Sequence, residues 1–523
     1  MGAMAVRENS VVVVVSCAVV VLVAGTVVLD SGVSSWALLA ATGAVDGTGG
    51  SVVPVDPHAA ATSAMTAISG IVLTGRMYAF RSLVGESQFV AFHATRFRVF
   101  VGSYHLVSMD YELTTLPNGL RIITEDMPTI QSAAIGCWVD TGSRDENPVE
   151  AGASHFLEHL LFKGTEDWSA RRIAETLDGI GARHNAFTSK EYTCFWTRTR
   201  DADIPLGIEV LGEMLQRPSF RQEEIDSERH VVLEEINMNE DDPTDVAHEL
   251  FIEAIWEGHP LAPPILGTPD SINAMSRDVI ARYWGTRYTP QSTVVAVAGN
   301  LPENLLEMIT DAFGSWQGST RAREETSPTV NSRAKVRTKD TEQAHLILGS
   351  PSIVRDDDRR FALTIADHVL GGGMSSRLFR EIRETRGLAY AVHGFRMPFL
   401  DAGASAVYVG TTPSQTDEVL RIVREEMDRI VNDGITDEEL ERAKGHVKGS
   451  LALGLEDANS RMNRLGRTEL TGMEHLSVDE TVERITAVDN EDIKAAAKVA
   501  YSGPYVLGAV GPFAEEDFVE HIS

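Results

Sequence analysis

Cysteine is scarce in these 523 residues: only Cys17, Cys137 and Cys194 occur. Three thiols make no disulfide framework, and none sits at metal-ligand spacing from another. Cys137 and Cys194 lie in apolar runs and read as inert buried thiols, a usage that suits a reducing compartment. Positive charge is also short, with 46 Lys and Arg against 76 Asp and Glu, a net charge of −30. Phosphate binding needs a basic footprint, so nucleic acid is excluded as a partner. A cationic peptide would instead be drawn in by the field, although acidity alone also keeps a large protein soluble. No G-x-x-x-x-G-K-[ST] pattern occurs, so the run Gly371-Gly372-Gly373 before Met374 is not a nucleotide loop. The remaining composition is that of a globular protein, and the length allows two or three domains.

Residues 1–108 differ from the rest. Val11 to Leu29 is a run of 19 uncharged, Val-rich residues behind Arg7 and Glu8, the length of a membrane-spanning helix or uncleaved signal anchor. The small residues that follow show no period. Two readings stand. Either the run at 11–29 is a membrane anchor, or translation starts at Met109 and the product is cytoplasmic.

What the chain does have is His155-Phe156-Leu157-Glu158-His159, the H-x-x-E-H order that inverts the common zinc-protease motif. A helix turns about 100° per residue, so positions 155, 158 and 159 share one arc. Two imidazoles and a carboxylate then face together, backed by Phe156, Leu157, Leu160 and Leu161. A catalytic zinc takes three protein ligands and keeps a fourth position for water. His155 and His159 supply two ligands, and Glu158 is better kept as general base. The third is sought between Glu228 and Ile236, which reads as a helix. Glu228 and Glu235 share a face but lie about 10 Å apart, so only one reaches the ion. The other orients a histidine or the base helix from outside. Glu234 competes for the third position, its side chain pointing about 100° away from that of Glu235.

These residues, with Gly142-Ser143-Arg144-Asp145-Glu146, Gly181 to Trp196, Pro264 to Gly267 and Gly371 to Val392, resemble the inverzincin family of pitrilysin, insulin-degrading enzyme and mitochondrial processing peptidase. The likeness runs from about Tyr111 to the end. In that family the distal glutamate ligand lies 76 residues past the second histidine, which here is Glu235, and its companion seven residues earlier is Glu228. The resemblance implies a zinc metalloendopeptidase with one Zn2+ per chain, held by His155, His159 and Glu235. Glu158 would take a proton from water and pass it to the leaving amine, while Glu228 orients the site.

Strands mixed with helix runs give an α+β class. Two lobes follow in one order, each closing on a helix, an apolar strand and a glycine, Val294 to Gly299 and Tyr505 to Gly511. This is an internal duplication. The expected domains are 109–317 for the zinc lobe, 318–339 for a Ser/Thr/Arg/Glu-rich linker and 340–523 for the second lobe. The resemblance adds that each lobe is a mostly antiparallel sheet with helices packed on one face.

Asn185 to Arg198 reads as a strand, either internal to its sheet or at an edge where a peptide adds by β-augmentation. The resemblance assigns Asn185, Ala186 and Phe187 to the substrate backbone and Gly371, Gly372 and Gly373 to a substrate-contacting loop. It also gives Arg383 and Tyr390, seven apart, to the oxyanion. Arg380 and Arg386 lie nearby, so spacing alone singles out Arg383. Family members that act as one long chain carry four lobes and this chain has two, which implies a homodimer acting on unfolded peptides. Its rivals are a processing peptidase for basic targeting sequences, a non-catalytic assembly subunit, and a peptide-binding partner that lends its Gly-rich loop to another subunit.

Overall fold

The computed structural model describes residues 111–523 and, before them, the backbone of three short strands. Those strands, β1 (Ser10–Val15), β2 (Ala18–Val23) and β3 (Thr26–Asp30), form an antiparallel meander with Val12 opposite Val21 and Val21 opposite Val28. This corrects the helix expected at 11–29. Valine is β-branched and stiff at χ1, which favours a strand over a helix. Among the described residues no helix is long and apolar enough to cross a membrane. The rest of the 1–108 extension and the start-site reading at Met109 lie outside the described residues.

The first lobe holds β4 (Tyr111–Thr115), β5 (Arg121–Asp126), β6 (Ser132–Val139), β7 (Arg183–Thr188), β8 (Thr193–Arg200) and β9 (Thr293–Gly299). Its helices are α1 (Ala153–Leu161), α2 (Ala170–Gly179), α3 (Ile204–Gln216), α4 (Gln222–Asp241), α5 (Pro243–Ile255), α6 (Pro269–Ala274), α7 (Arg277–Arg287) and α8 (Leu305–Phe313). The second lobe runs β10 (Arg333–Thr338), β11 (Ala344–Pro351), α9 (Arg360–Gly371), β12 (Ala389–Pro398), β13 (Gly403–Thr411), α10 (Thr416–Asp433), α11 (Asp437–Gly454), α12 (Ala458–Leu470), α13 (Val478–Ala487), α14 (Asn490–Ala500) and β14 (Val506–Gly511).

The sheets share one topology. Their orders are β4-β5-β9-β6-β8-β7 and β10-β14-β11-β13-β12. Leaving out β4, each places its strands first, last, second, fourth, third, with the first and last parallel and the others antiparallel. Two expectations change in detail. Asn185 to Arg198 is a hairpin of β7 and β8, turning at Ser189 to Tyr192, where Ser189 N–H donates to Tyr192 O. The second sheet begins inside the expected 318–339 linker, because Arg333–Thr338 pairs with β14.

Alternation along the strands builds two cores per sheet. Ile135, Cys137, Val295 and Val297 face their own lobe's helices, whereas Ala134, Trp138, Val294 and Ala296 face Ala458, Met462 and Leu465 of α12. In the second sheet Leu346, Leu348, Val407 and Val409 pack on α9, α10 and α14. The opposite face, with Ile347, Ala404 and Ala406, meets Val246, Ala247, Phe251 and Ile255 of α5. Each lobe therefore sends one helix to cover the far face of the other's sheet, beyond the single helical face that the resemblance implied. The seam also holds a charge cluster. The Arg144 side chain is fully buried, its guanidinium 2.5 Å from Glu191 Oε1 and bidentate to Asp401 at 3.0 and 2.8 Å.

Candidate metal and catalytic site

Helix α1 is fixed before any ligand is considered. Gly152, at φ 89°, opens it, and an added Cβ there would stand 2.8 Å from Leu266 O. Only glycine takes that left-handed turn so close to a neighbouring backbone. Glu146 then accepts from Gly152 N–H and Ser154 N–H, both at 2.7 Å, covering amides that the helix start leaves unpaired. Burial pushes the Glu146 carboxyl up to about 8, against those two backbone donors. Phe156, Leu157, Leu160 and Leu161 are buried in the core, so His155, Glu158 and His159 are turned the other way.

Helix α4 brings its acids to that face. Its buried positions are Ile225, Glu228, Val232 and Ile236, one carboxylate in an apolar stripe. A charge in that position has to be paired. Glu228 Oε2 lies 3.2 Å from His159 Nδ1 and Oε1 lies 2.8 Å from Lys163 Nζ. Two turns on, Glu235 Oε2 is 3.5 Å from His155 Nε2 and 3.4 Å from His159 Nε2. The three ligand atoms of His155, His159 and Glu235 lie within 4.8 Å of one another, the one such His/Cys/Asp/Glu group among the described residues. Glu234 is not part of it.

This donor set fits a zinc ion. A tetrahedron with bonds of about 2.1 Å has edges near 3.4 Å, the separation of Glu235 Oε2 from each of the two imidazole Nε2 atoms. Glu235 Oε2 is shielded from solvent yet has no hydrogen-bond partner in the protein, an unsatisfied acceptor of the kind a cation completes. Burial, and the neighbouring His159 ring, push His155 down to about 4, leaving it neutral at pH 7 as a ligand must be. Glu158 stands beside the group with Oε2 accepting from Thr188 Oγ at 2.7 Å. Burial raises its pKa, opposed by Thr188 and His159 and reinforced by Glu235, the direction that suits a general base.

A cleft of about 850 Å³ opens from His155 and Glu158 past Phe187, Thr188 and Lys190. Glu240, Asp245, Glu249, Glu253 and Glu257 line it against Lys190 and Arg337. Burial pulls Lys190 down to about 8, partly offset by Glu249 and Glu146. β7 is the outermost strand of its sheet, with Asn185 exposed, Ala186 buried and Phe187 half-buried.

The remaining expected site residues lie elsewhere. Gly371 is buried, and a Cβ there would meet Gly394 N at 2.6 Å, so it packs against β12. Gly372 and Gly373 are exposed. None of the three lines the zinc cleft. Arg383 sits in a π-helical turn, Phe379–Thr385, and stacks its guanidinium 4.7 Å from the ring centre of Tyr390. Tyr390 is 80 % exposed, and neither residue lines the cleft of its own chain. Sequence reasoning missed Thr188, Lys163 and Glu146 as supports of the site. Lys163 carried a signal, standing one helical turn past His159.

The chain matches the family described as Insulinase (Peptidase family M16) over residues 121–269 and the Peptidase M16 inactive domain over 274–446. It is 43% identical over 414 residues to a protein named an uncharacterized zinc protease in Streptomyces coelicolor, covering 77% of this chain and 90% of the relative. It is 40% identical over 398 residues to one so named in Bacillus subtilis, covering 76% and 97%. Among solved structures, a peptidase M16 inactive domain from Pseudomonas fluorescens superposes with a TM-score of 0.72 at 20% identity, covering 77% of this chain and 98% of that one. A protease from Helicobacter pylori gives 0.71 at 21%, covering 76% and 99%. The fold and site define a two-lobe member of the inverted-motif metallopeptidase class. This chain belongs to the insulinase, or M16, peptidase family.

Proposed function

We propose that this protein is a zinc-dependent endopeptidase for unfolded peptides, with basic ones favoured by its acidic cleft. One observation carries the reading: the ligand atoms of His155, His159 and Glu235 converge with Glu158 beside them. Zinc, when bound there, polarises a carbonyl and makes water acidic enough to serve as nucleophile near neutral pH. The protein's own groups do the rest. Glu158 accepts the water's proton and returns it to the departing nitrogen, with the Thr188 hydroxyl holding its carboxylate in place. Glu228 fixes the ring of His159 through Nδ1, leaving Nε2 toward the ion. The outer edge of β7 offers Asn185 and its neighbours as a backbone template for substrate.

Arg383 and Tyr390 are absent from the cleft of their own chain, which favours a homodimer. In that assembly Arg383 and Tyr390 of the partner subunit donate to the developing oxyanion. The test compares wild type with Glu158→Gln on a quenched basic peptide, with and without chelator. A loss of about 10²-fold or more in kcat supports the reading. Equal activity in both proteins contradicts it. Mixing Glu158→Gln subunits with Arg383→Ala subunits restores activity if the sites are shared between chains. No recovery removes the dimer.

A further inference from the structure

A second and larger cavity, about 1170 Å³, lies on the other side of β7 between the two lobes. It has a different character. Five arginines line it, Arg355, Arg360, Arg396, Arg464 and Arg467, against two carboxylates, Asp367 and Glu474. A positive cavity in a chain of net charge −30 is not a sample of the average surface. Aromatic side chains, among them Trp138, Phe187, Phe361 and Phe395, make up much of the remaining wall.

Three of the arginines are paired. Arg355 meets Glu191, Arg360 lies 3.6 and 3.8 Å from Asp358 and Glu474, and Arg396 is 3.7 Å from Asp367. Arg464 and Arg467, one turn apart on α12, have no carboxylate within 4.0 Å among the described residues; Arg464 bonds only Leu476 O and Thr481 Oγ. Burial holds Arg464 below its ordinary value, partly offset by Glu125, with Arg467 and Arg461 adding repulsion. Burial also holds Arg355 down to about 10, with Arg467 and Arg144 among the like charges acting on it. Asn463 Oδ1, on the same wall, is shielded from solvent and unbonded.

The position of the cavity points to its occupant. Successive side chains of a strand alternate between faces. On β7, Ala186 packs into the core under α1 and Thr188 reaches Glu158, while Phe187, which borders both cavities, packs toward the α12 face. A peptide added to the edge of β7 alternates in the same way, sending every second side chain toward the arginines and the others toward the acidic zinc cleft.

We propose that this cavity is a subsite for a carboxylate of the bound peptide, an acidic side chain or the terminal carboxyl, received by Arg464 and Arg467. The proposal rests on the peptidase reading for the direction in which the peptide lies. It makes the enzyme selective for charge by position, with cations tolerated on one face of the substrate strand and carboxylates on the other.

The test uses quenched peptides that differ by Glu or Gln at successive positions from the cut, plus a free-acid and C-terminal-amide pair. They are assayed with wild type, Arg464→Gln and Arg467→Gln. A charge-assisted hydrogen bond predicts that Glu lowers KM about tenfold relative to Gln, at alternate positions only. An effect confined to the free-acid pair identifies the terminal carboxyl as the occupant. In Arg467→Gln, an exposed position with no bonds to lose, the Glu-to-Gln ratio of KM rises from about 0.1 to about one. The subsite is overturned if wild type shows no carboxylate preference, or if the preference persists in Arg467→Gln. If wild type cleaves none of the peptides, the peptidase reading fails separately. Equilibrium binding of the same labelled peptides then decides the subsite, since Glu-dependent binding lost in Arg467→Gln supports it and Glu-independent binding removes it.

Discussion

Glu228 holds His159 Nδ1 at 3.2 Å with one oxygen and Lys163 Nζ at 2.8 Å with the other. The carboxylate is almost fully buried, so its two cationic or donor partners are what make it tolerable there. Its role follows from this contact: it selects the tautomer of His159 that leaves Nε2 free. Glu228→Gln is expected to weaken zinc binding about 10- to 100-fold, with the folded state intact by circular dichroism. Titration against a competing chelator checks it.

The Arg144 cluster predicts a stability effect without a catalytic one. Arg144→Met leaves Asp401 without its cation and Glu191 with Arg355 alone in a buried seam. Removing one partner of a buried pair costs about 3–5 kcal/mol. Denaturant unfolding of Arg144→Met and wild type reads this directly, and a difference under 1 kcal/mol would show that the cluster is not holding the lobes.

The exchanged helices make a second packing prediction. Gly466 on α12 lies so close to the buried Trp138 ring that an added Cβ would stand 2.2 Å from Nε1. Gly466→Ala therefore forces ring or helix to move, at a cost of about 1–3 kcal/mol. Phe251→Ala, on α5 under the second sheet, empties a fully buried site and costs about 3–5 kcal/mol. Thermal unfolding of the two variants should show both lobes losing stability together, because each lobe is roofed by the other's helix.

Glu146 gives a pH dependence with a definite sign. Burial raises its folded value to about 8 from the ordinary 4.5. The folded state thus binds a proton more tightly than the unfolded chain. The stability this group contributes is full below about 4.5 and is lost as pH rises through about 8. Wild type should lose melting temperature between pH 5 and pH 8.5 through this group, and Glu146→Gln should lack that component of the slope. Parallel melting curves for the two proteins across this range would contradict the assignment.

Much of the site was legible because it is local chemistry at fixed spacing. His155, Glu158 and His159 fall on one helical arc, and Glu228 and Glu235 share a face two turns apart, so helix geometry alone limited the choices. The duplication of the lobes was legible from the repeated helix, apolar strand and glycine, whereas the strand order inside each sheet comes from the tertiary structure. The helix exchange was not. The apolar face of α5 fits either sheet equally well in a hydrophobic pattern, and only the tertiary structure assigns it. The β7–β8 turn was missed because Ser189-Lys190-Glu191 carries neither glycine nor proline, and it is closed by Ser189 Oγ accepting from the Glu191 and Tyr192 N–H groups. At Val11 to Leu29, length argued for a helix while β-branching argued for strands, and the described backbone follows the branching.

The central claim is that one zinc ion is held by two helices of the first lobe. Anomalous scattering from crystals of the zinc-loaded protein, recorded on either side of the zinc absorption edge, tests it most directly. The account predicts one peak per chain among His155 Nε2, His159 Nε2 and a Glu235 carboxylate oxygen, with Glu228 on His159 Nδ1 and off the metal. A peak placed elsewhere, or zinc bound without Glu235, would contradict it.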